Sequence, residues 1–394
     1  MMSQAKIVEE TNKYLIPNYG RLPVAMVRGQ GARIWDADGK EYIDLFAGFG
    51  AGGVTGHSHP AVAAAIKGMA DTLQCCGNLF TNEPQVELAR AIATHGFGGK
   101  VFFCHSGAEA NETALKLARL AARQITGENR FKMISFHHCF HGRTMGALTL
   151  TPEKYQQGFE PVLPGCSKVD YGDLAALAAA ADDKTAGIII EPIQGEGGMN
   201  IPTVEFMKGV RKLCDDLKIM MICDEVWTSP ARTGRWFAHQ HYGIVPDIMT
   251  LGKACGGGLP VAACVAAPRI QDVLQPGKHG CTLGGNPICA AAGAAVFKLI
   301  YDEKLVELSA AKGERVMQAL RAAKIGKVKD VRGKGMMIGI ELDSPGKAVV
   351  TECMSRGLLV NCTQDTVLRL APPIVIEDDL MDKGLAILID VLKK

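Results

Sequence analysis

Short, solidly apolar runs alternate with longer amphipathic stretches through the middle of the chain. Lys100-Val-Phe-Phe-Cys104 reads as a buried strand, and Ala108–Arg123, rich in Ala, Leu, Glu and Lys, as a helix. Phe131–Ser135 is a second strand, Leu174–Ala181 an Ala-rich helix, and Gly187–Glu191 a third strand. The helix Val204–Leu217 leads into Ile219-Met-Met-Ile-Cys223, an apolar run that ends in Asp224 and Glu225. Another apolar run follows Asp247 and stops just before Lys253. Strands without a polar face need cover on both sides, so the alternation predicts an α/β fold on a large, mostly parallel sheet.

Beyond about residue 300 the pattern changes. Helical segments at Cys289–Asp302 and Val306–Ala323 precede shorter strands at Met336–Glu341 and Val367–Leu370, and an amphipathic helix fills the C-terminus. The expected organisation is a large domain over residues 59–300 and a smaller α+β domain over 301–394, with residues 1–58 packing beside the small domain.

Composition narrows the function. Hydrophobic residues are 47% of the 394 and charged residues 21%, which supports a large core and excludes a disordered chain. A net charge of +2, with no cluster of Lys and Arg, argues against a nucleic-acid or anionic-membrane surface. The N-terminus carries acids rather than an apolar core, and no apolar stretch is long enough to span a bilayer. The 13 cysteines form no CxxC pair, and several sit inside apolar runs. A reducing cytoplasm is the expected setting, without a disulfide framework.

The chemistry lies at strand ends. An Asp at the tip of one buried strand (Asp224) and a Lys at the tip of another (Lys253, before Gly256-Gly257-Gly258) suit a pyridoxal phosphate (PLP) enzyme. In such an enzyme the amine bonds to the cofactor, and the carboxylate keeps the ring nitrogen protonated. Ser106-Gly107-Ala108 opens a helix whose N-terminus offers free N–H groups to a phosphate, although Ser in that place is more often a simple cap. Phe140 is placed to stack on a ring, and Arg143 to bind a carboxylate. His57, His59, His137, His138 and His141 lack partners at metal-ligand spacing, so packing or capping is their expected role and no metal is called for. Glu191 and Glu196 lie on a Gly-rich loop where α/β sheets place ligand-binding segments. Thr282 sits in a turn, its hydroxyl able to reach a phosphate, and Arg369 in an apolar strand that requires an acid or an anionic ligand beside it.

Trp35–Asp44, Ser106–Arg119, Phe140–Thr144, Glu191–Gly198 and Leu283–Pro287 together resemble, in order and spacing, the class III PLP-dependent aminotransferases. Arg332–Leu342 and Gly357–Pro373 look most like the branch acting on N-acetylornithine. The resemblance implies PLP fold type I and transfer of the terminal amine of N-acetylornithine to 2-oxoglutarate. It implies Lys253 as the covalent and proton-moving lysine, and Asp224 at the ring nitrogen. Val226 and Phe140 would cover the ring, and Ser106, Gly107 and Ala108 the phosphate. Thr282 would come from a neighbouring subunit of a homodimer with shared sites. Arg143 would take the donor's carboxylate and Arg369 the acceptor's second one, masked by Glu196 when that carboxylate is absent.

The chain departs from the family pattern at Trp227, where Gln is usual, at the stiff Ser229-Pro230-Ala231, at Cys281, and at Ala51–Val54, which lacks a usual Asn. Ornithine, succinylornithine or 4-aminobutyrate therefore stay open as donors. From another class, so does a non-catalytic binding module retaining the fold.

Overall fold

The computed structural model describes residues 2–394. The large sheet has seven strands, in the spatial order Lys100–Cys104, Ala262–Ala266, Ile248–Leu251, Met220–Asp224, Thr185–Ile190, Lys132–Phe136 and Cys166–Val169. All neighbours pair in parallel except Ala262–Ala266, which is antiparallel to both of its partners. That strand, like Cys166–Val169, is absent from the hydrophobic reading. Its Ala-rich sequence carries little β-propensity, and its pairing partners define it.

The strands are buried on both faces, as their unbroken apolar character requires. Ile189, Met220 and Ile222 pack under the helix Gly107–Thr126, whereas Ile188, Ile190, Met221 and Cys223 pack under the helix Val204–Leu217. The first of these helices begins with a reciprocal capping box between Ser106 and Glu109 and ends at Gly127 in the left-handed conformation. Its buried stripe is mostly alanine, which lets the helix lie close on the strands.

Two four-stranded sheets flank this body. Met26–Gln30, Arg33–Asp36 and Glu41–Asp44 form an antiparallel sheet that Leu358–Leu359 joins in parallel. Val328–Lys334, Met337–Leu342, Val367–Leu370 and Asn361–Thr363 form the other. The C-terminal helix Asp378–Lys393 buries Leu380, Leu385, Leu388 and Leu392 in the same core. Among the described residues, no helix is long and apolar enough to cross a membrane.

Arg232 joins these parts. It is fully buried, and its guanidinium donates to the carbonyls of Met336 at 3.0 Å and Pro372 at 2.6 Å, and to that of Gly53. No carboxylate accompanies it among the described residues, and burial pushes its pKa down to about 9.

Candidate active site

Parallel strands bring their carboxyl ends to one edge of the sheet, where the site is built. Asp224 closes its strand in register with Thr250 on the adjacent parallel strand. Lys253 follows the end of that neighbour, on the short 3-10 turn Lys253–Gly256. Its φ of 42° is left-handed, which costs a residue with a side chain about 1–2 kcal/mol. Strand register thus places carboxylate and amine in one chamber.

Asp224 is buried, and its bonds favour the ionised form. Its Oδ2 accepts from Asn111 Nδ2 at 2.8 Å and from His141 Nδ1 at 2.8 Å, and its Oδ1 accepts from the Val226 N–H at 3.1 Å. Burial alone would raise its pKa, but the bond and charge of His141, with Asn111 and Val226, hold it below the usual carboxylate range. His141 is buried too, which disfavours charge, yet Cys139 and Asp224 keep its pKa well above that of ordinary imidazole. The bond between them favours charge on both partners, with His141 Nε2 left buried and unpartnered. Asn111 is itself fixed, donating to the His141 carbonyl at 2.7 Å and accepting from the Thr250 hydroxyl at 2.8 Å.

Lys253 Nζ lies 4.7 Å from the centroid of the Trp227 ring. Burial lowers its pKa, opposed by Glu196, Asp224 and Glu191 and reinforced by Arg369, so the amine gives up its proton more readily than a solvated lysine. Glu191 presents the converse case. Burial pushes its carboxyl up to about 8, and the Phe140 N–H at 3.0 Å is a backbone donor to it. Near neutral pH it is mostly protonated.

A cavity of about 260 Å³ joins these groups. Lys253, Asp224, Gly107, Ala108, Phe140, Val226 and Arg143, each expected at the site from the sequence, line it, as do His141, Glu191 and Trp227. Arg143 stands over the Tyr155 ring at 4.2 Å and the Phe140 ring at 5.5 Å, exposed at the mouth. Ser106 does not line the cavity, because its hydroxyl is engaged in capping Glu109. Thr282 is exposed on a turn away from it. Glu196 and Arg369 are brought together, with Oε1 to Nη1 at 2.9 Å, but off the cavity wall. Arg369 is buried, held also by Asn361 and by the Gly195 carbonyl. Asn111 lines the cavity although the sequence reading did not single it out, and Glu191 does so from the Gly-rich loop expected to bind ligand. Asn111 sits one helical turn beyond Gly107 and Ala108, a spacing that could have pointed to it. His141, expected only to pack or cap, is the main partner of Asp224.

The chamber fits a flat, ring-shaped ligand with an anionic tail. The N–H groups of Gly107 and Ala108 open a long helix and have no acceptor among the described residues. Gly107 also leaves room for Val226, since a Cβ there would lie 2.6 Å from Val226 Cγ1. Fold and site together place a buried amine and an ionised acid in one chamber at the carboxyl edge of a parallel sheet. A model of the class-III aminotransferases matches residues 14–392, and the chain belongs to that family of PLP enzymes.

Among similar proteins, the acetylornithine aminotransferase of Caldanaerobacter subterraneus subsp. tengcongensis is 46% identical over 97% of this chain and 98% of that protein. That of Methanocaldococcus jannaschii is 45% identical over 97% and 96%. Among solved structures, an ornithine aminotransferase from Toxoplasma gondii, crystallised with partial occupancy of PLP, superimposes with a TM-score of 0.94 at 33% identity, covering 99% of this chain and 94% of that one. An acetylornithine aminotransferase from Elizabethkingia anophelis gives 0.88 at 32% identity, covering 100% and 99%.

Proposed function

We propose that this aminotransferase moves the terminal amine of N-acetylornithine to 2-oxoglutarate, yielding N-acetylglutamate 5-semialdehyde and glutamate. The observation that carries the reading is the pairing of Lys253 and Asp224 in one cavity, with Arg369 and Glu196 joined beside it. The relatives at 46% and 45% identity that carry the acetylornithine name support the donor.

Bound PLP supplies the electron sink that lets an amine and a keto group exchange. Asp224 would hold its ring nitrogen, Lys253 its reactive carbon, and the Gly107 and Ala108 N–H groups its phosphate, with Val226 and Phe140 on the ring faces. Lys253 takes and returns a proton at Nζ, a task its lowered pKa suits. Arg143, with no acid paired to it among the described residues, binds the donor's carboxylate at the mouth. Asp224 stays ionised throughout, because His141 and Asn111 remain in place when substrates change.

The working unit is a homodimer. Leu79 is 96% exposed and Phe80 69%, beside Asn78, whose amide donates to the carbonyls of Cys281 and Gly284 at 2.8 and 3.0 Å. The exposed apolar pair and the Thr282 turn thus form one surface, suited to covering by a second copy. Thr282 would then serve the partner's cavity.

The test is the absorbance spectrum of the purified, PLP-loaded protein. Adding N-acetylornithine alone should convert the internal chromophore to the pyridoxamine form, and 2-oxoglutarate should restore it. A chromophore unmoved by N-acetylornithine but shifted by ornithine or 4-aminobutyrate would replace the donor.

The Glu196–Arg369 pair carries a separate expectation. Glu196 occupies the guanidinium whenever no second carboxylate is bound, so Glu196→Ala should let glutamate react about tenfold better relative to N-acetylornithine. Unchanged relative rates in single half-reactions would remove the masking role.

A further inference from the structure

Cys281, one of the departures from the family pattern, has no task in the amine transfer. It lies on the turn that precedes the helix Pro287–Asp302. That turn is tied to the helix Gly107–Thr126 through His279, whose Nε2 lies 2.8 Å from Thr113 Oγ1 and whose Nδ1 lies 2.9 Å from Lys116 Nζ. Cys281 is thereby held at the start of the same helix, its Sγ 3.4 Å from His105 Nδ1. His105 Nδ1 in turn lies 3.2 Å from Glu109 Oε1. Ligand atoms of all three residues fall within 4.8 Å of one another, and each residue is half-buried. Gly284 makes room for the thiol, since a Cβ there would lie 3.0 Å from Cys281 Sγ. The two oxygens of Glu109 divide their work. Oε2 accepts the N–H groups of His105 and Ser106, each at 2.9 Å, which fixes the carboxylate and leaves Oε1 beside the imidazole.

We propose that His105, Glu109 and Cys281 form a binding site for a zinc-class divalent cation, with water as the fourth ligand. Imidazole, carboxylate and thiolate are all ligands of zinc, and the mixed set disfavours magnesium and calcium, which take oxygen. A tetrahedral ion about 2.0–2.2 Å from nitrogen and oxygen and about 2.3 Å from sulfur holds its ligand atoms roughly 3.3–3.6 Å apart. The separations of 3.2 and 3.4 Å are close to those edges, so little rearrangement is needed. Burial and the charge of Glu109 raise the pKa of the free Cys281 thiol, and a bound cation reverses that preference. Coordination replaces the S–H bond with a sulfur–metal bond and releases the proton to solvent. The ion would staple the turn of Cys281 and Thr282 to the helix that opens at Gly107. None of its three ligands lines the amine-transfer cavity, so the site stands whichever amine is the donor.

The experiment loads untagged, PLP-bound protein with zinc, dialyses away the excess, and reads the retained metal by elemental analysis and its ligands by X-ray absorption. The wild type should keep one zinc per chain, with one sulfur at about 2.3 Å and the other ligands at about 2.0–2.2 Å. Cys281→Ser and His105→Ala should each weaken zinc binding at least about tenfold in competition with a chromophoric chelator. Cys76→Ser, which removes a thiol elsewhere, should leave the affinity unchanged. Without zinc, Cys281→Ser should melt close to wild type, which separates a lost ligand from a damaged fold. No retained zinc, zinc without a sulfur ligand, or an affinity that Cys281→Ser leaves unchanged overturns the inference.

Discussion

Lys253→Ala will lower transamination by at least about 10⁴-fold, because covalent attachment and proton transfer are lost together. Lys253 is the only lysine on the cavity wall. Arg143, also on that wall, carries a guanidinium, a group that does not serve as a base near neutral pH. A left-handed φ of 42° at this residue is kept although alanine would bear the same strain without any use for it, so the fold itself should survive the change. Folding and chemistry can then be separated. The variant should keep its melting temperature within a few degrees, and a small primary amine in solution should restore part of the rate. Activity within tenfold of wild type would move the reaction to another residue.

Asp224→Asn should reduce the rate of the donor half-reaction by about 10²–10³-fold, the scale on which one electrostatic contact in a closed site acts. The substitution keeps size and leaves an oxygen for Asn111 and His141, while its NH2 would face the Val226 N–H, so the loss is of charge and of that one bond. His141 then loses the partner that holds its proton, and its pKa should fall toward or below that of ordinary imidazole. Single-turnover rates at saturating PLP, with NMR titration of His141, read both effects. A rate unchanged while His141 loses its charge would reduce Asp224 to a strand-end acid with only a structural role.

Asp224 and Lys253 could be read from the chain because each is a charged residue closing a run of buried apolar ones. That contrast survives without any knowledge of the fold. The parallel sheet was legible for a related reason: strands such as Thr185–Ile190, buried at every position, have no solvent face to blur the pattern. Ala262–Ala266 was not, since alanine favours no strand and only its two neighbours make it one. The Glu196–Arg369 pair joins segments far apart in the chain, and family likeness rather than spacing suggested it. The wedging of Trp227 between Gly50 and Gly195, and the hold of Asn111 and His141 on Asp224, are tertiary contacts for which local periodicity carries no signal.

The buried Arg232 has a consequence for how the molecule comes apart. Its guanidinium ties Gly53, Met336 and Pro372, which come from the N-terminal loop and the C-terminal sheets, to a turn leaving the large sheet. With no carboxylate beside it among the described residues, separating any one of the three strips a hydrogen bond from a buried cation that nothing else compensates. Partial opening is therefore costly at this residue, and the parts it ties are expected to melt together rather than in sequence.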